Sequence, residues 1–248
     1  MDVGDVVLMG GAGFVGGFVN SIAGGGSLIL FPALVAGGLG TVAANVTNSV
    51  ALWPGYLGNV AALRGASRPP SATSPAVVSA VGAAAGCALL LLTPTRIFSV
   101  AVPFLVLGAS ALFAFQPWLR ALLGAAHGDH RVKLYAGVLV GAVYGGYFGG
   151  GLGVILLALL GLTLPAPLAE VNVVKGTLQL VVASVSLVVF ALFGPVHWVI
   201  ALVVAPSSLA GGVLGGRLAR RLREPVLRAA VVGFGVLAGV WLGIRAFG

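Results

Sequence analysis

Polar side chains lie inside two long apolar segments of this chain, at spacings that put them on one face of a helix. Asn45 and Asn48 are three residues apart, Asn172 and Lys175 are three apart, and Gln179 follows Lys175 by four. Residues with these spacings lie on the same helix face. Because amide and ammonium groups donate hydrogen bonds, the two faces predict a binding surface for a small anion.

One internal duplication relates the two sets of polar residues. Segments 24–45 and 151–172 have the same residue skeleton at a constant offset of 127 positions, and with this offset Asn48 matches Lys175. Further polar side chains near the two faces are Thr47, Ser49 and Thr177. An alternative is that the amides only bond one helix to another, which is common in membrane bundles.

Lys175 lies well inside a predicted membrane span, about seven residues or roughly 10 Å from its start near Leu168. A lysine at the bilayer centre costs about 2.5–3.5 kcal/mol on insertion scales unless an anionic partner or an aqueous cavity compensates it. A translocated sulfonate or carboxylate would be such a partner. The alternatives are that Lys175 extends to the membrane surface or pairs with Glu170, although a separation of five residues is poor for pairing along a helix.

The composition assigns the chain to the integral membrane proteins. Hydrophobic residues make up 59% and charged residues 7%, and the mean hydropathy is +1.14. A water-soluble domain with a polar surface does not have such a composition. The 13 Lys and Arg residues exceed the five Asp and Glu residues, but they fall mostly in short gaps between apolar runs, which indicates topology signals and not nucleic-acid binding. A single cysteine, Cys87, excludes a disulfide framework.

Six apolar runs have the length of one membrane crossing, about 20 residues; they are 41–63, 74–93, 97–116, 168–193, 198–216 and 225–247. Two further runs, 6–38 and 134–164, are too long for one crossing and are interrupted by glycine-rich breaks at 20–27 and 145–153. The arms beside each break have roughly 11 to 15 residues, enough for about half of the ~30 Å hydrocarbon. Each broken run therefore predicts a re-entrant hairpin.

The distribution of Lys and Arg predicts how these runs are oriented, because cytoplasmic loops collect basic residues. If each broken run crosses once, the basic residues outside the spans divide six against six; if each returns to its own side, they divide ten against two, with both termini outside. Hairpins that cross fully twice would have the same parity. We therefore predict an all-α polytopic protein of two inverted repeats, each with a glycine-broken hairpin and three transmembrane helices, at 1–118 and 133–248, joined by a cytoplasmic linker at 119–132.

The glycine breaks predict a second set of hydrogen-bond donors at membrane depth. A helix that begins there presents unpaired N–H groups and the positive end of its dipole to a ligand. The residues that would supply them are Gly25, Gly26 and Ser27 in the first copy and Gly151 and Gly153 in the second. Hydroxyl groups of Ser21, Tyr144 and Tyr147 would add to this set. A compatible alternative is that these glycines only permit close backbone packing.

These motifs resemble the TauE/SafE family of sulfite exporters. The first half carries GFVGGF at 13–18, GGGS at 24–27, FPAL at 31–34 and AANVTN at 43–48, and the second carries GGYFGGGLG at 145–153 and AEVNVVK at 169–175. The resemblance covers almost the whole chain. It implies export of sulfite, sulfoacetate or a related organosulfur anion across the bacterial inner membrane.

Other classes of function have weaker signals. Intramembrane hydrolase motifs such as Gly-x-Ser-x-Gly and His-Glu-x-x-His do not occur, so no enzyme and no cofactor is predicted. His127 and His130 flank Asp129 in the linker, where solvated charge is a better interpretation than a metal site. Alternatives to export are a passive anion channel and an uptake transporter for a small carboxylate or sulfonate. The coupling ion would be a proton, with Glu170 as its carrier, or sodium. The sequence leaves the oligomeric state open, with a homodimer as one alternative.

Overall fold

The computed structural model describes residues 3–62, 74–115, 118, 131–164, 168–218 and 224–247. Within these ranges the chain forms ten helices and no strand. They are α1 Val3–Ala23, α2 Ser27–Ala36, α3 Thr41–Ala62, α4 Ser74–Leu92, α5 Thr95–Ala114, α6 Arg131–Tyr147, α7 Leu152–Thr163, α8 Leu168–Phe193, α9 Trp198–Leu218 and α10 Glu224–Phe247.

Five of the described helices are long and apolar enough to cross a membrane, namely α4, α5, α8, α9 and α10. The sixth predicted span corresponds to α3, which has 22 residues but does not belong to this group. Its length is sufficient, at about 1.5 Å per residue, for the hydrocarbon. Its mean hydropathy is lowered by a row of polar residues that are buried in the protein, namely Asn45, Thr47, Asn48 and Asn59.

Both glycine-rich runs form hairpins of two antiparallel helices, α1 with α2 and α6 with α7. The predicted arm lengths were wrong for α1, which has 21 residues because it continues to Ala23, whereas α2 has ten. The first break is therefore confined to residues 24–26 and the second to 148–151. Glycine inside a helix costs only about 1 kcal/mol relative to alanine, so most glycines of the two runs do not end the helix.

The two halves of the chain pack into each other. The first arm of each hairpin lies along a helix of the other half, α1 along α9 and α6 along α4. Glycines allow these helices to touch backbone to backbone: a side chain at Gly17 would collide with the carbonyl of Ser208, and one at Gly146 with the carbonyl of Ala83. Close approach through small residues is the usual packing of membrane helices. Helices α3 and α8 also pack together, as do α5 and α10.

Part of the predicted linker lies outside the described residues. Of positions 119–132, only Arg131 and Val132 are described, and they begin α6. The histidine and aspartate residues that the sequence places in this linker therefore have no structural description. Among the residues that are described, no group of three or more His, Cys, Asp or Glu side chains could hold a metal ion.

Candidate functional site

The tips of the two hairpins touch through their main chains. An added Cβ on Gly24 would lie 2.5 Å from the Cα of Gly153, and the N–H of Gly153 is 3.4 Å from the carbonyl oxygen of Gly24. Gly24 has φ +81° and Gly151 has φ +75°, a region that residues with a side chain rarely adopt. The positive φ turns the chain out of α1 and into α7. The two breaks thus bring distant parts of the sequence into one place.

A small cavity of about 20 Å³ lies beside the tips, between α3 and α8. Its polar lining includes Ser27 at the start of α2, Ser49 and Tyr56 on α3, and Gln179 and Ser186 on α8. A cavity needs roughly 10–15 Å³ to hold one water molecule, so this one holds about one or two. It is too small for an organosulfur anion in this conformation.

The polar face of α3 is fixed by hydrogen bonds to both hairpins. The Nδ2 group of Asn45 donates to the carbonyl oxygen of Tyr147, the last residue of α6, at 2.9 Å. The Nδ2 group of Asn48 donates to the Oγ of Ser27 at 3.1 Å. Both asparagine side chains are buried. The Tyr147 carbonyl thus engages one of the two N–H bonds of the Asn45 amide.

The polar face of α8 carries a buried charge. Lys175 is only 2% exposed, and among the described side chains it is the only buried one with a formal charge. Gln179, one turn further along the helix, is buried, lines the cavity, and approaches the other tip residue, since an added Cβ on Gly153 would lie 2.9 Å from its Nε2. Asn172 and Thr177 are half-buried and each makes polar interactions.

Several buried amide atoms around the tips have no hydrogen-bond partner in the described structure. They are Oδ1 of Asn45 and Asn48, Nδ2 of Asn20, and both Oε1 and Nε2 of Gln179. Leaving one buried polar group unpaired costs about 1–3 kcal/mol. Such a cluster on helices that meet at two broken segments is typical of a site that a ligand or water completes.

Three residues of this region were not singled out from the sequence: Asn20, Tyr56 and Ser186. Asn20 lies in the last turns of α1, close to Tyr56 on α3, and its Nδ2 has no hydrogen-bond partner in the described structure. Ser186 lines the cavity and accepts a hydrogen bond from the thiol of Cys87 at 3.3 Å. Each is a polar residue inside an apolar helix, which is the only signal that the sequence offered for them.

Other predicted residues point elsewhere or have partners already. The Oγ1 of Thr47 accepts from the backbone N–H of His197, and the hydroxyl of Tyr144 donates to the carbonyl of Gly150. Ser21 donates to the carbonyl of Gly212 at 2.8 Å. Gly25 packs on the ring of Phe113. Glu170 is half-buried in the first turn of α8.

The starts of the second arms match the predicted donor segments only in part. Helix α2 begins at Ser27, as expected, but α7 begins at Leu152, so Gly153 lies within its first turn. The N–H groups of Leu28 and Ile29 donate to Gly25 and Gly26, which closes the first turn of α2. By helix geometry, the donors left for a ligand are those of the residues before Leu28.

A second cavity of about 240 Å³ lies at the other end of α2. It is lined by residues from α2, α3, α5 and α10, including Thr41, Ser99 and Arg245. The guanidinium of Arg245 donates to the carbonyl oxygen of Val35 at 3.2 Å and lies 5.5 Å from the ring centre of Trp241. A cation at a helix C-terminus offsets the negative end of its dipole, so Arg245 holds α10 against α2.

Comparison with known proteins places this architecture in a family. A family model described as sulfite exporter TauE/SafE matches residues 9–242. The chain is 31% identical over 230 residues to a "Probable membrane transporter protein" of Haemophilus influenzae, covering 89% of this chain and 87% of that one. It is 27% identical to the "Probable membrane transporter protein ORF9" of a Sinorhizobium species, covering 89% and 85% of the two chains.

A further relative is the "Probable membrane transporter protein YfcA" of Escherichia coli K12, which is 27% identical over 229 residues, 87% of this chain and 81% of that one. No solved structure matches the chain. The family match extends over both hairpins, and the relatives cover both halves at similar length. The resemblance predicted from the glycine motifs is confirmed, and the chain belongs to the sulfite exporter TauE/SafE family of membrane transporters.

Proposed function

We propose that this protein is a secondary transporter that exports a small organosulfur or other oxyanion, such as sulfite or sulfoacetate, across the bacterial inner membrane. Membership of a membrane transporter family supports transport and not catalysis. The observation that carries the proposal is the buried Lys175, on the same helix face as Gln179, which lies where the two hairpin tips touch. A buried ammonium group inside a membrane protein favours an anionic ligand.

We assign the anion to the space between the hairpin tips, where the residues have different tasks. Lys175 supplies a positive charge, and Gln179 supplies amide N–H groups. Asn20, which was not predicted from the sequence, supplies a further amide N–H group. Backbone N–H groups of the two glycine breaks complete the oxyanion shell; these are Gly25, Gly26, Ser27, Gly151 and Gly153. Asn45 and Asn48 hold α3 against the two hairpins through hydrogen bonds to Tyr147 and Ser27. Thr47, on the same helix, and Asn172, on α8, are also predicted from the sequence to bind the anion.

Alternating access follows from the size of the cavity in this conformation. About 20 Å³ does not hold an oxyanion, so the tips have to separate before the substrate can bind. Two inverted repeats at 1–118 and 133–248, joined at 119–132, would permit this movement by rocking against each other. Matched contacts support this arrangement, since α1 lies on α9 as α6 lies on α4. A passive channel has less support, because the two tips touch through backbone atoms.

We also propose that both termini are outside the cell, because this orientation puts ten of the twelve basic residues outside the spans on the cytoplasmic side. Met9 near the start of α1 is close to Gly37 after the end of α2, and Arg245 near the end of α10 bonds to Val35. Both chain ends therefore lie at the same end of the first hairpin, where α1 begins and α2 ends. A phosphatase that is active only outside the cytoplasm should be active when fused after residue 248 and inactive when fused after residue 125. Reversed activities would contradict the orientation.

The substrate class is tested by ligand binding to purified protein. We expect sulfite, sulfoacetate or another sulfonate to raise the midpoint of thermal unfolding at concentrations above its Kd, since a ligand that binds only the folded state stabilises it. Taurine, thiosulfate and small carboxylates are the comparison set. Stabilisation by carboxylates alone, together with their inward transport, would favour the uptake transporter. No stabilisation and no flux with any anion would contradict the proposed function.

A further inference from the structure

We propose that Asn45 and Asn48, with the end of α6, bind a monovalent metal cation, with sodium as the probe, that travels with the anion. The role in coupling rests on the anion transport proposed above and, because the sodium gradient of a bacterial cell points inward, it belongs to the uptake alternative and not to export; binding of the cation rests on neither direction. Three observations carry the inference: the orientation of the Asn45 amide, the unpartnered oxygens beside it, and the absence of acidic residues from the segments around it.

The orientation of Asn45 follows from its partner. A backbone carbonyl can only accept a hydrogen bond, so the atom 2.9 Å from the oxygen of Tyr147 has to be Nδ2. The other atom of the amide, Oδ1, is then directed away and has no partner in the described structure. It is an acceptor inside the protein, with the side chain 1% exposed. An acceptor of this kind fits a cation or an N–H or O–H donor, and it repels an oxyanion.

Asn48 adds a second oxygen on the same helix face. It follows Asn45 by three residues, a spacing that brings the two Cβ atoms within about 5–6 Å of each other. Its Nδ2 is engaged by Ser27, which leaves Oδ1 unpartnered. The hydroxyl of Ser27 and the carboxamide of Gln179 line the adjacent cavity. Carbonyl, amide and hydroxyl oxygens are the ligands that hard cations take.

The C-terminal end of α6 contributes a negative electrostatic potential that attracts a cation. The helix ends at Tyr147, inside the protein, and its last carbonyl groups carry the negative end of the helix dipole. The carbonyl ends of broken helices coordinate Na⁺ or H⁺ in several transporter folds. Asn45 is bonded to the last of these carbonyls, so its free oxygen lies next to the negative end of α6.

The charge of the surroundings limits which cation fits. The five acidic residues of the chain are Asp2, Asp5, Asp129, Glu170 and Glu224, and none of them belongs to α2, α3 or α6. A divalent ion would lack the carboxylates that usually neutralise it. Amide oxygens do not titrate in the physiological range, so they suit a metal ion better than a proton. In the other half, the position that matches Asn48 is occupied by Lys175, whose ammonium group supplies a positive charge without a bound ion.

The adjacent cavity is lined by Ser27 and Gln179 but not by Asn45 or Asn48. Its volume of about 20 Å³ holds one or two water molecules, which would complete the coordination of a bare monovalent cation, but it holds no oxyanion. The charge of the cation then adds to that of Lys175 when the tips separate and an anion enters.

Binding is tested on purified protein without any organosulfur anion. We expect sodium chloride to raise the midpoint of thermal unfolding in a saturable manner, while equal concentrations of choline chloride do not. Asn45→Ala should raise the half-saturating sodium concentration at least ten-fold, and Asn45→Asp should lower it. Asn59→Ala is the matched control, because Asn59 is also buried on α3 but lies 14 positions along the helix from Asn45. An equal effect of sodium and choline, or an unchanged response in both Asn45 variants, would overturn the proposal.

Coupling is tested in proteoliposomes with sulfite as the transported probe. We expect a sodium gradient to drive sulfite flux against its own gradient, and Asn45→Ala to reduce that sodium-driven flux at least ten-fold. If sulfite moves equally well without sodium, or only with a pH gradient, the role of the cation in coupling is wrong while the transport function stands. If no anion moves under any gradient, the transport function itself is wrong, and the thermal measurement still decides whether sodium binds.

Discussion

Replacing Lys175 with methionine is expected to reduce anion transport at least about 30-fold while the protein still inserts and folds. Removing one partner of a buried, charged hydrogen bond costs about 2–5 kcal/mol in binding, and 1.4 kcal/mol corresponds to a factor of ten. Methionine has a similar length and is apolar, so the substitution removes the charge with little change of volume. Transport is measured as anion flux into proteoliposomes at matched protein content.

The folded state should tolerate this change. A buried lysine costs about 2.5–3.5 kcal/mol on membrane insertion scales, and methionine removes that cost. The polar group that Lys175 contacts loses its partner, which costs about 1–3 kcal/mol and offsets the gain. We therefore expect thermal unfolding in detergent near the wild-type temperature. The matched control is Lys133→Met, at the only other lysine of the chain, which is exposed near the start of α6. Flux at the wild-type rate in Lys175→Met, or an equal loss in both variants, would remove Lys175 from the site.

Replacing Gly24 with alanine is expected to destabilise the contact between the hairpin tips by about 2–5 kcal/mol. Two costs add: about 1–2 kcal/mol for a side chain at positive φ, and about 1–3 kcal/mol for overpacking against Gly153. The added Cβ would lie 2.5 Å from the Cα of Gly153. Because this Cα is a backbone atom, it cannot move aside as the end of a flexible side chain can. The variant should unfold at lower temperature and should transport more slowly.

Gly38→Ala separates the two costs. Gly38 also has positive φ, at +96°, but nothing lies within 4 Å of an added Cβ there. It should lose only the conformational part, about 1–2 kcal/mol, and keep its transport rate. The difference between the variants, about 1–3 kcal/mol, is the contribution of contact between the tips. Equal losses of stability and of transport in both variants would show that the tips do not need to touch.

The sequence was sufficient to predict the helical class, the family, and which polar residues share a face. Periodicity places Asn45 with Asn48 and Lys175 with Gln179, because it depends only on helix geometry. The duplication pointed to the same two segments. All four of these side chains are buried in the structure. These features are local, or repeat at fixed spacing, and so they can be predicted from a single sequence.

Features that depend on contacts between distant segments could not be predicted. The hydrogen bond from the Asn45 amide to the carbonyl of Tyr147, which is 102 positions away, is one such contact. The length of α1 was underestimated because residues 20–23 were assigned to the first break, whereas the helix continues to Ala23 and the chain turns at Gly24, which has positive φ. Asn20 and Tyr56 have no counterpart in the repeated motifs, so their proximity became apparent only from the fold.

Contact between the tips has a consequence for the speed of the transporter. Side-chain rotamers change within roughly picoseconds to nanoseconds, whereas collective movements of helices take roughly microseconds to milliseconds. In the proposed transport cycle, Gly24 and Gly153 have no side chain to rotate, so the space between the tips opens only when whole helices shift. Turnover should therefore be slow and steeply dependent on temperature.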